Sequence, residues 1–403
     1  MMTTDDGKVI AGIDTHKDTH HVAVIDAKGK PLADGQFPAS GTGYRRIIAF
    51  ITGWGQVDRV GVEGTGSYGA DLTRALASAG FEVIEVDRPN RQDRRKRGKS
   101  DPIDAYQAAQ AVLAGRAKAV PKARNGAVEA MRMLRTERSS AMKARNIAIV
   151  QAKALLITSP DRVRARYRDL TAGRLMQALA RLRPAGEFGT PLHAAQVTLK
   201  RFGLRYQTLE REIAEIDAEL DQLVTMQAPS LRDLPGVGTE VASQLLVTFG
   251  DNPERVTTEA QFAALAGVAP MPASSGQTTR HRLSLGGDRQ ANWALHRVVL
   301  SRMTFDPRTK AYVERRTQEG LSKKEIMRCL KRYVARELYR QLVNPLPAPD
   351  GQRLRTLRQS KKISLQQAAD HHRVWPITLS RLERGLARND ELYHRYEEWL
   401  QHP

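Results

Sequence analysis

Four carboxylates are notable for where they fall. Asp14 closes the apolar run "VIAGID", Glu63 closes "RVGVE", and Asp101 and Asp104 sit three residues apart in "SDPID". A carboxylate at the end of a buried strand costs several kcal/mol unless something pairs with it. A spacing of three at a helix start puts Asp101 and Asp104 on one face. Hard oxygen donors converging from separate elements suit Mg2+, and two such ions clamp the attacking and leaving oxygens of a phosphoryl transfer. Simpler roles compete for the same residues. Asp101 would serve as an N-cap with Pro102 the first helical residue and Asp104 an N3 acid, and Asp14 would cap the turn before His16. Asp18 and Asp26 are read as turn residues. His16, His20 and His21 hint at zinc but are expected in a solvated hairpin.

Four acids from distant positions meet only if the elements bring them together. "KVIAGID" and "HVAVID" read as apolar strands joined by the polar turn "THKDTH", with a weaker third strand near "PLADGQF". "YRRIIAFITGW" is an amphipathic helix, "RVGVEG" a strand, "SYGADLTRALASAG" a helix closed by Gly80, "FEVIEVD" a strand and "DPIDAYQAAQAVLAG" a helix. The order βββαβαβα over 8–125, with a meander first, is the ribonuclease-H arrangement and sets the strands ending at Asp14 and Glu63 side by side. Sugar kinases and actin-like ATPases share that opening, and the glycines of "VEGTGSYG" could cradle a phosphate. The chain contains nothing like the second phosphate-binding domain such enzymes need.

The charge balance points to a polyanion: 64 Lys and Arg against 44 Asp and Glu give +20 and a pI near 10.2. Between Glu63 and Asp101 runs "RPNRQDRRKRGKS", where Arg94, Arg95, Lys96, Arg97 and Lys99 are candidates for a phosphate backbone. A solvated loop would have the same composition. The single cysteine, Cys329, excludes internal disulfides and fits a reducing cytoplasm. Neither a signal peptide nor a membrane-length apolar run is expected. The expected setting is a soluble, intracellular one.

The remainder reads as helical. Over 126–228, Tyr206, Leu209, Ile213, Ile216, Leu220 and Leu223 alternate spacings of three and four, as in a coiled coil or a helix packed on its own domain. A third region, 229–343, opens with "LRDLPGVGTEVASQLLVTFGD". Its Gly236 and Gly238 would offer amides to DNA as a helix-hairpin-helix, or simply make a tight turn. "NPLPAPDG" is a proline-rich linker to a small helical tail at 352–401. The expected fold class is therefore α/β plus α.

Taken together, "GIDTHKDTH", "GVEGTGSYG" and "KSDPIDAYQAA" resemble the DEDD motifs of the IS-one-ten family of insertion-sequence transposases. "LRDLPGVGTEVASQLLVTFGD" and "AQFAALAGVAPMPASSGQTTRHRLSLGGDRQANWAL" resemble that family's C-terminal transposase domain, so the likeness covers about 8–342. The resemblance implies a RuvC-like nuclease domain holding Mg2+ on Asp14, Glu63, Asp101 and Asp104. It also implies a helical linker and a transposase domain whose nucleophilic serine falls at Ser275, with Ser274 adjacent. Activity would be RNA-guided cleavage and exchange of donor and target DNA through a phosphoserine intermediate, with a guide RNA from the element's flank. Recombining two duplexes suggests a homodimer or homotetramer. A Pro/Gly/Ser loop suits the presentation of a hydroxyl, and Arg280, His281 and Arg282 follow closely enough to hold the scissile phosphate. A flexible turn would look the same.

The tail departs from the family pattern. "LRTLRQSKKISLQQAADHHRVWPITLSRLERG" resembles a Cro/repressor-type helix-turn-helix. Ser364 would cap its first helix, and Thr378, Ser380 and Arg381 would face DNA from the second. A dimerisation appendage is the alternative. The tail keeps open a DNA-binding regulator with an inactive RuvC-like domain as the first alternative, and a metal-only structure-specific nuclease is a second alternative, should the serine not act. Intact acids at all four positions argue against the first.

Overall fold

The structure is a computed structural model that describes residues 7–86, 100–274, 276, 281–282, 284, 286–344, 350–384 and 389–401. The chain divides into two compact units. The first runs to residue 126 and takes in 249–257, and the second comprises 127–248 and 258–403.

In the first unit β1 (Lys8–Thr15), β2 (Thr19–Asp26) and β3 (Pro31–Pro38) form an antiparallel meander. Helix α1 (Gly41–Thr52) follows, then β4 (Gln56–Glu63), α2 (Ala70–Ser78), β5 (Val83–Val86) and α3 (Asp101–Leu113). The sheet order is β3-β2-β1-β4-β5, with β4 parallel to β1 and β5 parallel to β4. Among the described residues the elements follow the order expected from the sequence. Strands covered on both faces read as near-continuous apolar runs, and β1 illustrates why. Val9, Ala11 and Ile13 face a core shared with Ile47 and Ile51 of α1 and Leu72 and Leu76 of α2. Ile10 faces the other core, with Ala108, Ala109 and Val112 of α3.

Side chains alternate across a strand, so Gly12 and Asp14 share the α3 face with Ile10. Gly12 has Gly61 of β4 as its register partner. A Cβ on Gly12 would run into the Ala105 carbonyl and lie 2.9 Å from Ala109 Cα, and one on Gly61 would lie 2.6 Å from Val112 Cγ2. The paired glycines open a groove into which the alanine face of α3 settles with its backbone close against the sheet. The segment 249–257 closes the unit: Asn252 Nδ2 donates to the Pro121 carbonyl (3.0 Å), and its Oδ1 accepts from Ala123 N (3.1 Å).

In the second unit α4 (Ala127–Thr158) leads through α5 (Asp161–Tyr167) and α6 (Ala172–Ala180) to α7 (Pro191–Gln227), which returns antiparallel to α4. Arg138 Nε pairs with Asp217 (2.5 Å) and Arg145 with Glu210 across that pair. Ile213, Ile216 and Leu220 of the heptad seam are buried within the chain, while Leu209 and Leu223 are half-buried. The seam is therefore largely used inside the protomer. After a 3-10 turn come α8 (Thr239–Phe249), α9 (Glu259–Leu265), a short hairpin of β6 (Met271–Pro272) and β7 (His281–Arg282), and α10 (Arg289–Phe305), α11 (Pro307–Gln318) and α12 (Lys323–Val343).

The tail is a four-helix cluster: α13 (Gly351–Ser360), α14 (Leu365–His372), α15 (Pro376–Glu383) and α16 (Asp390–Gln401). Leu354, Ala369, Leu379, Leu382, Tyr396 and Leu400 form its core. Ser364 caps α14 in a capping box with Gln367. Arg358 holds Glu383 through Nε and Nη2 at 2.7 and 2.9 Å, and Tyr396 Oη donates to the same carboxylate at 2.8 Å. Three residues, 373–375, join α14 to α15, and Arg373 adopts the left-handed conformation (φ 54°).

The glycine groove yields a direct test. Gly12→Ala must push α3 off the sheet, and overpacking of this kind costs about 3 kcal/mol or more when the obstacle is backbone. Gly41→Ala, whose Cβ would meet nothing within 4 Å, should be near neutral. Hydrogen exchange across Asp101–Leu113 in the full-length chain checks this. Equal protection in the two variants would remove the groove as the support of α3.

Candidate metal centre

The alternation that turns Gly12 toward α3 turns Asp14 the same way. On β4, Val60 and Val62 belong to the opposite core, so Glu63 takes the α3 face as well. Parallel pairing of Ile13 with Val62 puts the two strand ends together, and Thr15 Oγ1 donates to the Glu63 carbonyl at 2.8 Å. Helix α3 begins over this edge with Ser100 as N-cap, so Asp101 and Pro102 are its first two residues and Asp104 its fourth. The capping alternative thus fails by one position: Asp101 is not the N-cap, Asp104 is not N3, and Ser100 itself makes no side-chain cap bond. Asp104 is 3% exposed and Asp14 6% exposed, so both are interior carboxylates rather than solvated helix-end groups.

Histidine 16 completes the group. Its Nε2 lies 3.1 Å from Asp14 Oδ2 and 3.3 Å from Asp101 Oδ1. Among the described residues, Asp14, His16 and Asp101 are a set whose ligand atoms all fall within 4.8 Å of one another. Glu63 and Asp104 border this set without joining it at that distance. The solvated-hairpin expectation is corrected for His20, whereas the His16 side chain is 41% exposed. His20 is fully buried with its ring stacked on Tyr44, and burial pushes its pKa down. His21 Nε2 pairs with Asp34 Oδ2 at 2.8 Å. Of the three, His16 is the one whose ring nitrogen meets Asp14 and Asp101.

The electrostatics favour a cation. Burial pushes the Asp14 carboxyl above its ordinary value, His16 pulls it down, and Asp104 and Asp101 push it up again. Like-charged carboxylates in a desolvated site cannot all ionise unless a positive charge joins them. Two carboxylates bridged by His16, a third buried beside them and a fourth at the adjacent strand end form an oxygen-rich set suited to Mg2+ or Mn2+, and the imidazole admits softer ions as well. In the turn "VEGTGSYG" the amides of Ser67 and Gly69 both donate to the Gly64 carbonyl, so neither is turned to a ligand.

The other sequence candidates divide. Arg94, Arg95, Lys96, Arg97, Lys99, Ser275 and Arg280 lie outside the described residues. Arg282 is exposed on β7. Gly236 (φ 80°) lies against α10, where a Cβ would come 3.3 Å from the Val298 carbonyl. Gly238 is exposed at the start of α8, with open space around it. On α15 Arg381 is exposed, and Thr378 and Ser380 are half-buried. Sequence reasoning does not single out Trp375 and Ile377, which are 79% and 59% exposed at the start of that helix.

Comparison with known proteins gives two family matches. A DEDD transposase model of the IS110 type matches residues 11–159, and the model described as "Transposase IS116/IS110/IS902 family" matches 228–314, together more than half of the chain. Among curated proteins, an uncharacterized 43.6 kDa protein of insertion element IS110 from Streptomyces coelicolor is 33% identical over 108 residues, 26% of each chain. An uncharacterized 42 kDa protein of insertion element IS900 from Mycobacterium paratuberculosis is 24% identical over 129 residues, 31% of this chain and 32% of its own. The matched stretches therefore span about a quarter and a third of these relatives' lengths. No helix among the described residues is long and apolar enough to cross a membrane.

A cation that binds only the folded acid cluster must stabilise it. At a hundredfold excess over Kd the gain is about 2.7 kcal/mol, or roughly 5–10 °C in Tm for a unit of this size. Thermal scans of wild type in EDTA and in saturating Mg2+ or Mn2+ should differ by that amount, and Asp14→Asn should lose the difference while keeping its helical signal. An identical shift in both proteins would remove Asp14 from the ligand set.

Proposed function

The chain belongs to the IS110 family of transposases, and from that premise we propose that it cuts and exchanges donor and target DNA strands for a bacterial insertion sequence, guided by an RNA from the element's flank. The observation that carries this reading is the buried Asp14 gathered with His16 and Asp101 at the sheet edge under α3. The meander followed by parallel β4 and β5 supports a RuvC-like assignment of this domain. Asp14, Glu63, Asp101 and Asp104 would hold Mg2+, which when bound supplies charge stabilisation to a phosphodiester under attack.

The covalent step belongs to Ser275. Its hydroxyl oxygen forms a bond to phosphorus as the bond from phosphorus to one sugar oxygen breaks, and the departing sugar oxygen leaves protonated. Religation reverses the exchange with the hydroxyl of the incoming strand. A serine needs a base or a metal to attack phosphorus, and sequence spacing puts Arg280 and Arg282 close enough to hold the phosphate. The family likeness and the net charge of +20 support nucleic acid as the partner. In the tail, the three-residue connection between α14 and α15 supports a helix-turn-helix. Arg381 would then face DNA with Thr378 and Ser380. Domain limits of 8–125, 126–228, 229–343 and 352–401 follow from this reading, as does assembly into a homodimer or homotetramer in the cytoplasm.

Carrying the element with its flanks on a plasmid tests the proposal. Wild type should produce a sealed circular junction readable by sequencing, Ser275→Ala should produce none, and Ser274→Ala should retain it. A junction from Ser275→Ala would discard the serine step in favour of a metal-only nuclease or the neighbouring serine. Absence of any junction, with sequence-specific DNA binding intact, would favour the DNA-binding regulator.

A further inference from the structure

A cavity of about 880 Å3 opens in the second unit at the base of the β6–β7 hairpin, walled by the approach to β6, by β7, and by α11 and α12. Its lining carries Arg282, Arg316, Arg328, Lys331, Arg332 and Arg336, with Glu325 as the acid among the lining residues. Carboxylates already occupy part of that charge. Arg316 pairs with Glu319, and Arg332 and Arg336 share Glu259. Glu325 is turned to its own helix end, where it accepts from Ser322 N and Oγ at 2.9 and 2.6 Å. Among the described residues, no carboxylate lies within ion-pair distance of Arg282, Arg328 or Lys331. Lys331 is 9% exposed and donates to Asn292 Oδ1 at 2.9 Å, a neutral partner held in place by its own amide bonds to the Ala266 and Gly267 carbonyls. An interior ammonium without a counter-charge is costly, and burial together with Arg328 pushes its pKa down. The cavity thus offers three uncompensated cations converging on a concave wall.

We propose that this cavity binds the sugar–phosphate backbone of a single DNA strand next to the serine-bearing hairpin, with Arg282, Arg328 and Lys331 touching its phosphates. The ligand class follows from charge and size. Converging cations select a polyanion. A concavity within the usual small-ligand range of about 300–1,000 Å3 takes a short stretch of single strand rather than a whole duplex. The choice of DNA rests on the reading above, in which the segment between β6 and β7 carries the residue that attacks DNA. The cavity would hold the strand so that its phosphate is presented to that segment.

Fluorescence anisotropy of the full-length protein with a labelled oligo-dT strand, in EDTA so that no cleavage can intervene, separates this proposal from the recombinase reading. Arg328→Gln and Lys331→Gln are each expected to weaken binding about tenfold. The slope of log K against log salt should fall by about 0.7 for each phosphate that is no longer neutralised. Lys143→Gln, an exposed charge on α4, controls for the reduced net charge and should change Kd less than twofold. Arg328 is exposed, so Arg328→Gln keeps the test valid if the interior Lys331→Gln misfolds. An unchanged slope in Arg328→Gln and Arg282→Gln would overturn the site, as would weakening matched by Lys143→Gln. Weakening confined to an oligo-U strand would overturn the assignment to DNA. Binding results hold whether or not Ser275→Ala abolishes the junction, so failure of the serine step is read separately.

Discussion

The candidate metal centre depends on one close approach, the seating of α3 against Gly12 and Gly61. An ordinary side chain at either position would lift the helix away from the sheet, and with it Asp101 and Asp104. Because the two glycines are register partners, the groove crosses β1 and β4 at one level, two residues before Asp14 and Glu63. Helix packing and ligand placement are therefore a single constraint. The alanines at 105, 108 and 109 are needed for the same reason, since larger residues would restore the gap that the glycines remove.

Burial gives those acids their chemical character. Asp14 and Asp104 are almost wholly enclosed, and two further carboxylates stand nearby, so repulsion accumulates in a medium that screens it poorly. A polyanionic substrate approaching such a cluster would be repelled unless a cation neutralised it first. The second unit has the opposite problem: arginines and a lysine gather around a cavity with too few acids to match them. One site calls for positive charge and the other for negative charge.

Much of this is legible in the chain. The strands announce themselves as apolar runs because both faces of the sheet are covered, and Asp14 stands out as the polar residue that ends one. His16 lies one residue beyond β1, in a polar turn with two other histidines nearby, and nothing local names it as the neighbour of Asp14. The spacing in "SDPID" is compatible with capping or with ligation, and the N-cap at Ser100 takes Asp101 out of the cap position. The heptad seam on α7 carries a helical period without naming its partner, and α4 takes most of it within the same chain. Nothing local in 249–257 signals that it returns to the first unit, because it is held there by backbone groups more than a hundred residues away. Trp375 and Ile377 give no sequence signal because apolar residues at a helix start ordinarily point inward.

That returning segment bears on how the chain can be inherited and recombined. The first unit is not a bead at the end of a string, since the backbone leaves it near 126, travels through α4 to α8, re-enters for nine residues and leaves again. A single crossover between related genes anywhere in that interval would separate Asn252 from Pro121 and Ala123, and join a sheet to a closing segment shaped by a different history. Exchange of the acid-bearing unit between relatives thus requires two coordinated breakpoints, or a segment at 249–257 similar enough to be interchangeable. The second family match, 228–314, runs straight through it, so the piece that completes the N-terminal unit is carried with the transposase half of the gene.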